Sequence, residues 1–185
     1  MKKVVLLGDS IRLIGYGPLV PALLGDEYTV WQSTDNDRFA SYTLRNCFEY
    51  KAQLETADVI HWNNGLWDMC DLFGDGPFTS KEDYVALLVR IAKILLSYCP
   101  KVIFCTTTPP RPAMWGHSID RVREYNAAAV EALVPLGVRI NDLGSTVCAD
   151  PEKWVSAVDN LHLNEDGCRM AAGMVVDAVK AALAD

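Results

Sequence analysis

Short apolar runs alternate along the chain with longer segments of helical period. Residues 4–7, 28–32, 59–62, 102–106 and 138–140 form the runs, each nearly continuous in Val, Ile, Leu and aromatic side chains. Runs of that kind read as strands covered on both faces, and their alternation with helical segments marks β-α-β crossovers around a buried parallel sheet. The clearest helix spans 81–98, opened by Ser80 with Asp83 three residues on and closed before Pro100. Its apolar stripe is Tyr84, Leu87, Leu88, Ile91, Ile94 and Leu95. Further helices are expected over 119–133 and 165–183. Segments 12–24 and 41–54 read as helical in part, the first interrupted by Gly15, Gly17, Pro18 and Pro21. No repeat, low-complexity tract or linker breaks the pattern, so residues 1–185 read as one domain.

Composition narrows the function classes. Half of the 185 residues are apolar, enough to build a core. Lys and Arg number 17 against 24 Asp and Glu, a formal charge of −7, and no basic run offers a footprint for a phosphate backbone. Nucleic acid is not an expected partner. The start, Met1-Lys2-Lys3 followed by four apolar residues and Gly8-Asp9, is too short for a signal peptide's apolar region and reads as a first strand. No stretch approaches the roughly 18 apolar residues of a membrane span, so the expectation is a soluble, cytoplasmic protein without a membrane partner. The six cysteines (Cys47, Cys70, Cys99, Cys105, Cys148 and Cys168) contain no Cys-x-x-Cys pair or Cys/His cluster. They are expected to be free and mostly buried.

In open parallel sheets, ligands gather beyond the carboxyl ends of the strands. There stand Gly8-Asp9-Ser10 after the first run, the stretch from Asn63 to Asp68 after the third, Thr107-Thr108-Pro109-Pro110 after the fourth, and Asp159-Asn160-Leu161-His162 before the last helix. Ser10 alone reads as a helix N-cap, and His162 alone as a structural or surface histidine. Together with Asp159 they read differently. An Asp three residues before a His can accept the imidazole N–H, fix its tautomer and stabilise the imidazolium formed when the ring takes a serine proton.

The blocks Val4-Val5-Leu6-Leu7-Gly8-Asp9-Ser10-Ile11 and Asp159-x-x-His162 resemble the first and last blocks of the SGNH, or GDSL-type, hydrolases, and they bracket nearly the whole chain. The resemblance implies a flavodoxin-like three-layer α/β/α fold whose five parallel strands run in the order 2-1-3-4-5. It also implies ester hydrolysis through an acyl-enzyme, with Ser10 as nucleophile, His162 as general base and Asp159 orienting it, and with no metal or organic cofactor.

The middle blocks depart from the family pattern. Laying Asn36-Asp37-Arg38-Phe39-Ala40-Ser41 on the second block puts Ser41 where a Gly usually gives a backbone N–H to the oxyanion hole. The third block, usually Gly-x-Asn-Asp, is Gly65-Leu66-Trp67-Asp68, with Trp67 in place of the oxyanion amide. The expected oxyanion donors are therefore Ser10, Ser41 and Asn63, with Asn64 as the alternative to Asn63.

Arg12, Arg38, Trp67, Arg111 and Trp115 are candidate substrate contacts on the rim, set against a reading as surface salt links and packing. Asp9, Asp68, Asp159 and His162 can be drawn on paper as a hard-metal site, but nothing in their spacing demands one. Trp31, Trp62, Trp154 and His61 read as core, and His117 as a loop residue without a signal. The leading expectation is an esterase removing short acyl groups, acetyl foremost, from a small polar or carbohydrate-like ester. Rival expectations are an acyltransferase using the same triad and a catalytically idle carbohydrate-binding module. A nucleotide binder is disfavoured because the first turn lacks Gly-x-Gly-x-x-Gly and Asp9 would repel a phosphate. Oligomeric state leaves no mark in the sequence.

Overall fold

The computed structural model describes residues 1–112 and 114–184. Strands β1 (Lys2–Gly8), β2 (Tyr28–Gln32), β3 (Val59–Asn63), β4 (Val102–Cys105) and β5 (Arg139–Asn141) form one sheet in the order β2-β1-β3-β4-β5, and every pairing is parallel. The helices are α1 (Val20–Leu24), α2 (Ala40–Glu49), α3 (Lys51–Leu54), α4 (Lys81–Tyr98), α5 (Ile119–Leu133), α6 (Leu143–Ala149), α7 (Pro151–Trp154) and α8 (Glu165–Ala184).

Side chains alternate across each strand, and both faces of the sheet are covered. Val5 and Leu7 of β1, with Ile60, Trp62, Val102 and Phe104, pack under α2, α4 and α5. Val4 and Leu6, with Val59, Ile103 and Cys105, pack under α8, α6 and α1. The result is three layers in which β1 lies inside the sheet beside β3, so the segment leaving Gly8 emerges on the carboxyl edge at the β1/β3 boundary. That is where strand order reverses and a crevice opens.

The helices expected over 81–98 and 119–133 have those bounds, capped by Ser80 and Ser118, whose side chains accept from the N–H groups of Asp83 and Arg121. Segment 12–24 is not one helix. It runs as a π-helical turn (Ile11–Tyr16), a 3-10 turn (Gly17–Leu19) and then α1, because Pro18 and Pro21 lack the N–H groups that a continuous helix needs. Segment 41–54 breaks at Tyr50 into α2 and α3. The fifth strand begins one residue later than its apolar run suggests, since the Val138 N–H still bonds to Leu133 O in the turn that closes α5. Helices α6 and α7 are short and escaped the periodicity; each is opened by an aspartate, Asp142 or Asp150, accepting from an N–H three residues on.

All six cysteines are free, four of them buried. Trp62 and His61 are fully buried, while Trp31 and Trp154 pack half-buried against the core. Among the described residues no helix is long and apolar enough to cross a membrane.

Candidate active site

The site is built where β1 ends. Asp9 turns its side chain back so that Oδ1 accepts the Ile11 N–H at 2.9 Å, while its carbonyl accepts from Arg12 and Leu13. These bonds wind the chain into a helical turn immediately after the strand and leave half-buried Ser10 at the junction. Ser10 thus stands at the positive end of the helical segment.

The second half comes from a loop tied closed on itself. Val155 and Leu163 form an antiparallel bridge, Ser156 N–H bonds to His162 O, and Asn160 N–H bonds to Ser156 O. Asn160 takes a positive φ of 58°, which an Asn side chain tolerates, and this curls the chain so that Asp159 and His162 face one another. Asp159 Oδ1 accepts the N–H groups of Leu161 and His162, both at 3.0 Å. Its Oδ2 lies 2.7 Å from His162 Nδ1, and His162 Nε2 lies 2.9 Å from Ser10 Oγ. Partial burial opposes the Asp159 charge, but the two N–H groups and the imidazole outweigh it and hold the carboxyl below its usual range. A carboxylate can only accept, so Nδ1 carries the proton and the Nε2 lone pair faces the serine hydroxyl.

Under this row lies a buried polar layer. Asn63 donates from Nδ2 to Asp9 Oδ1 at 2.7 Å and accepts the Tyr16 hydroxyl on Oδ1 at 2.8 Å. Burial pushes Asp9 up to about 6 against the opposing hydrogen bonds from Asn63 and Ile11. Asp37 accepts the Gly8 N–H and the Asn46 amide, and burial raises it too. Arg12 is fully buried between these carboxylates, with its guanidinium on the carbonyls of Gly8, Ser33 and Asp35. It pins the ends of β1 and β2 together and does not reach the rim, so the expectation that it contacts substrate is corrected. Desolvation is the reason: a buried guanidinium needs all its partners from within the fold.

The expectation for Ser41 is also corrected. Ser41 sits in the first turn of α2 and lines a groove with Phe48 and with Arg90 of α4, on the outer layer and away from Ser10. The residue with a glycine-like backbone in that loop is Arg38, at φ 36°. Asn63, paired with Gly8 in register, has both ends of its amide engaged within the buried layer. Asn64 stands one residue nearer the carboxyl edge. Its Nδ2 makes only a 3.4 Å contact to Arg38 O, and its carbonyl is clamped by the hydroxyls of Tyr84 and Thr107. Gly65 follows at φ 143°, where a Cβ would stand 2.2 Å from Thr107 Oγ1. Only glycine lets the chain turn there.

The remaining candidates separate. Trp67 joins Ser10 in lining a small cavity with Leu66, Cys70, Leu72, Met114, His117 and Leu161. His117, silent in the sequence, is thereby placed at the site; no spacing signal could have found it. Arg111 is turned away from a substrate role: its guanidinium is held by the carbonyl and carboxylate of Glu152, and its N–H bonds to Asn160 O, bracing the His162 loop. Trp115 is exposed, with its indole N–H on Leu72 O, and Arg38 is exposed at the rim. Asp68 caps α2 by accepting the Ala40 N–H, and burial pushes its carboxyl up to about 6. Among the described residues no group of three His, Cys, Asp or Glu side chains is placed to hold a metal ion.

No protein-family model matches the chain. A GDSL esterase/lipase of Arabidopsis thaliana is 31% identical over 123 residues, 59% of this chain and 48% of the relative, so the chain spans about half the length of that curated protein. The lipase/acylhydrolase of Enterococcus faecalis superposes with a TM-score of 0.80 at 20% identity, covering 98% of this chain and 96% of that one. The chain has the GDSL-type hydrolase fold. An acetyl xylan esterase shares this fold with a TM-score of 0.80 at 18% identity, over 96% of this chain and 99% of the other. The resemblance of the Gly8-Asp9-Ser10 and Asp159-x-x-His162 blocks to the GDSL-type hydrolases thus extends to the sheet order and to the edge of the fold on which those blocks meet.

Proposed function

We propose that the protein is a carboxylic ester hydrolase of serine type, working on esters of short acyl groups through an acyl-enzyme. The observation that carries this reading is the unbroken line of contacts from Asp159 Oδ2 through the His162 ring to Ser10 Oγ, at 2.7 and 2.9 Å. In this reading His162 Nε2 takes the Ser10 proton as Oγ bonds to the ester carbonyl carbon. Asp159 stays ionised and stabilises the imidazolium. Negative charge then develops on the carbonyl oxygen, where the Ser10 N–H and the Asn64 side-chain amide act as donors. His162 returns the proton to the departing alcohol, and a water activated by the same ring releases the acid and frees Ser10.

The GDSL esterase/lipase relative supports the reaction class. The acetyl xylan esterase neighbour supports a polar, carbohydrate-like alcohol portion. The test is hydrolysis of p-nitrophenyl esters and acetylated sugars, with a Ser10→Ala control. A wild type no faster than the control on every ester would overturn the proposal.

A further inference from the structure

The cavity lined by Ser10 is closed on its other sides by Leu66, Trp67, Leu72, Met114 and Leu161. These come from three separate segments: the chain after β3, the chain after β4, and the loop that carries His162. All three converge on the nucleophile. The two polar side chains in its wall do not alter its character. Burial raises the Cys70 thiol and keeps it protonated. His117 Nδ1 lies 3.1 Å from Trp115 O, a carbonyl that can only accept, so that nitrogen carries its proton and cannot take one from Cys70 Sγ at 3.8 Å. Burial also pushes the His117 imidazole below its usual range, so that among the described residues the wall holds no charged group. It excludes a charged acyl tail and accommodates a hydrocarbon.

We infer that this cavity is an acyl-chain pocket that selects esters of four- and five-carbon acids over acetate. The inference rests on the esterase reading and refines its acyl group. With an ester carbonyl carbon at Ser10 Oγ, the cavity is the space open to the rest of the chain. Its volume is about 110 Å³. A methylene displaces about as much as one water molecule, roughly 30 Å³, so three to four carbons fill it beyond the carbonyl. An acetyl methyl would leave most of that apolar wall against water, whereas each further methylene buried favours reaction by about fourfold until the space is full.

The wall is also braced against widening. Trp67 packs on Phe39 with ring centroids 5.8 Å apart, and Phe39 meets Phe78 edge-on at 5.7 Å. The indole that occupies the usual place of an oxyanion amide thus becomes the outer limit of the pocket. Longer chains must leave over the lip formed by Trp67 and Leu72, each 37% exposed.

The experiment is a series of p-nitrophenyl esters from acetate to octanoate on the wild type, Leu72→Trp and Met114→Ala. The wild type is expected to peak at butanoate or pentanoate, with kcat/KM for butanoate about tenfold above acetate and octanoate well below butanoate. Leu72→Trp should fill the pocket and invert the butanoate-to-acetate ratio, and Met114→Ala should move the peak to hexanoate or beyond. If neither variant folds, the wild-type profile decides alone. A wild type that hydrolyses every ester with a flat profile, or with its peak at acetate, overturns the pocket while leaving the esterase reading intact. No hydrolysis at any length, with no labelling of Ser10 by a fluorophosphonate, overturns the esterase reading and the pocket with it.

Discussion

Ser10 Oγ and His162 Nε2 stand 2.9 Å apart across a sequence separation of 152 residues. One hangs from the end of a central strand, the other from a loop held shut by a one-residue bridge and braced by Arg111. The site is therefore as stable as the docking of that loop, and its chemistry depends on atoms from both ends of the chain.

Ser10→Ala should fold with an unchanged circular dichroism spectrum and lose on the order of 10⁶ in kcat, the scale for removal of a triad nucleophile. Asp159→Asn should lose about 10⁴ by presenting the wrong imidazole tautomer. Because the Asp159 carboxyl sits below its usual range, it remains charged as the solution is acidified. The charge that orients His162 therefore survives mild acid. A tenth of the wild-type rate in Ser10→Ala would remove the serine from its role.

Asn64→Ala and Asn63→Ala should fail in different ways. Loss of one oxyanion donor lowers kcat by roughly 10² to 10³ with little effect on KM, and that is the outcome expected for Asn64→Ala. Asn63→Ala instead strips partners from buried Asp9 and Tyr16, costing about 1 to 3 kcal/mol for each group left unsatisfied. Its signature is a lowered Tm. Steady-state kinetics and thermal melts on both variants separate the roles, and a normal kcat in Asn64→Ala would leave the Ser10 N–H without that partner.

Asp68 should make the fold more stable in mild acid. Its carboxyl is near 3.8 when unfolded and about 6 in the native state, raised by burial despite the bonds from the Ala40 N–H and the Thr79 hydroxyl. Between those values the native state binds more protons than the unfolded chain, so this group's contribution is full below pH 4 and is lost as pH rises through 6. Asp9 acts in the same direction. Asp68→Asn keeps an acceptor for Ala40 and should flatten the dependence by up to a few kcal/mol. Urea midpoints at pH 4.5 and 7 test this; equal pH slopes in variant and wild type would refute it.

Arg111→Ala should leave KM for polar and apolar esters unchanged relative to one another, because the guanidinium is spent on Glu152. The expected effect is a fall in kcat of less than tenfold on all substrates as the His162 loop loosens, with partial recovery in Arg111→Lys. A KM that rises only for polar esters would restore Arg111 to a substrate contact.

How much of this was legible in the sequence follows from the range of the interactions involved. The continuous apolar runs determine a sheet buried on both faces, Ser80 determines where α4 begins, and the glycines and prolines of segment 12–24 determine that no single helix forms there. These are local matters of side-chain period and backbone hydrogen bonding, written within a few residues. The pairing of Asp159 with His162 is equally local, a turn of four residues. Tertiary structure decided the rest. Arg12 and Arg111 look like rim residues in the sequence, yet one is enclosed by the nearby Gly8 carbonyl and by those of Ser33 and Asp35 from beyond β2, and the other is clamped by Glu152. The bonds that Asn63 makes to Tyr16 and Asp9 depended on those two side chains arriving beneath it, and the place of His117 on two loops meeting over Ser10. Such contacts depend on which elements the sheet brings together, and desolvation then selects which polar groups stay bound within the fold and which face the substrate.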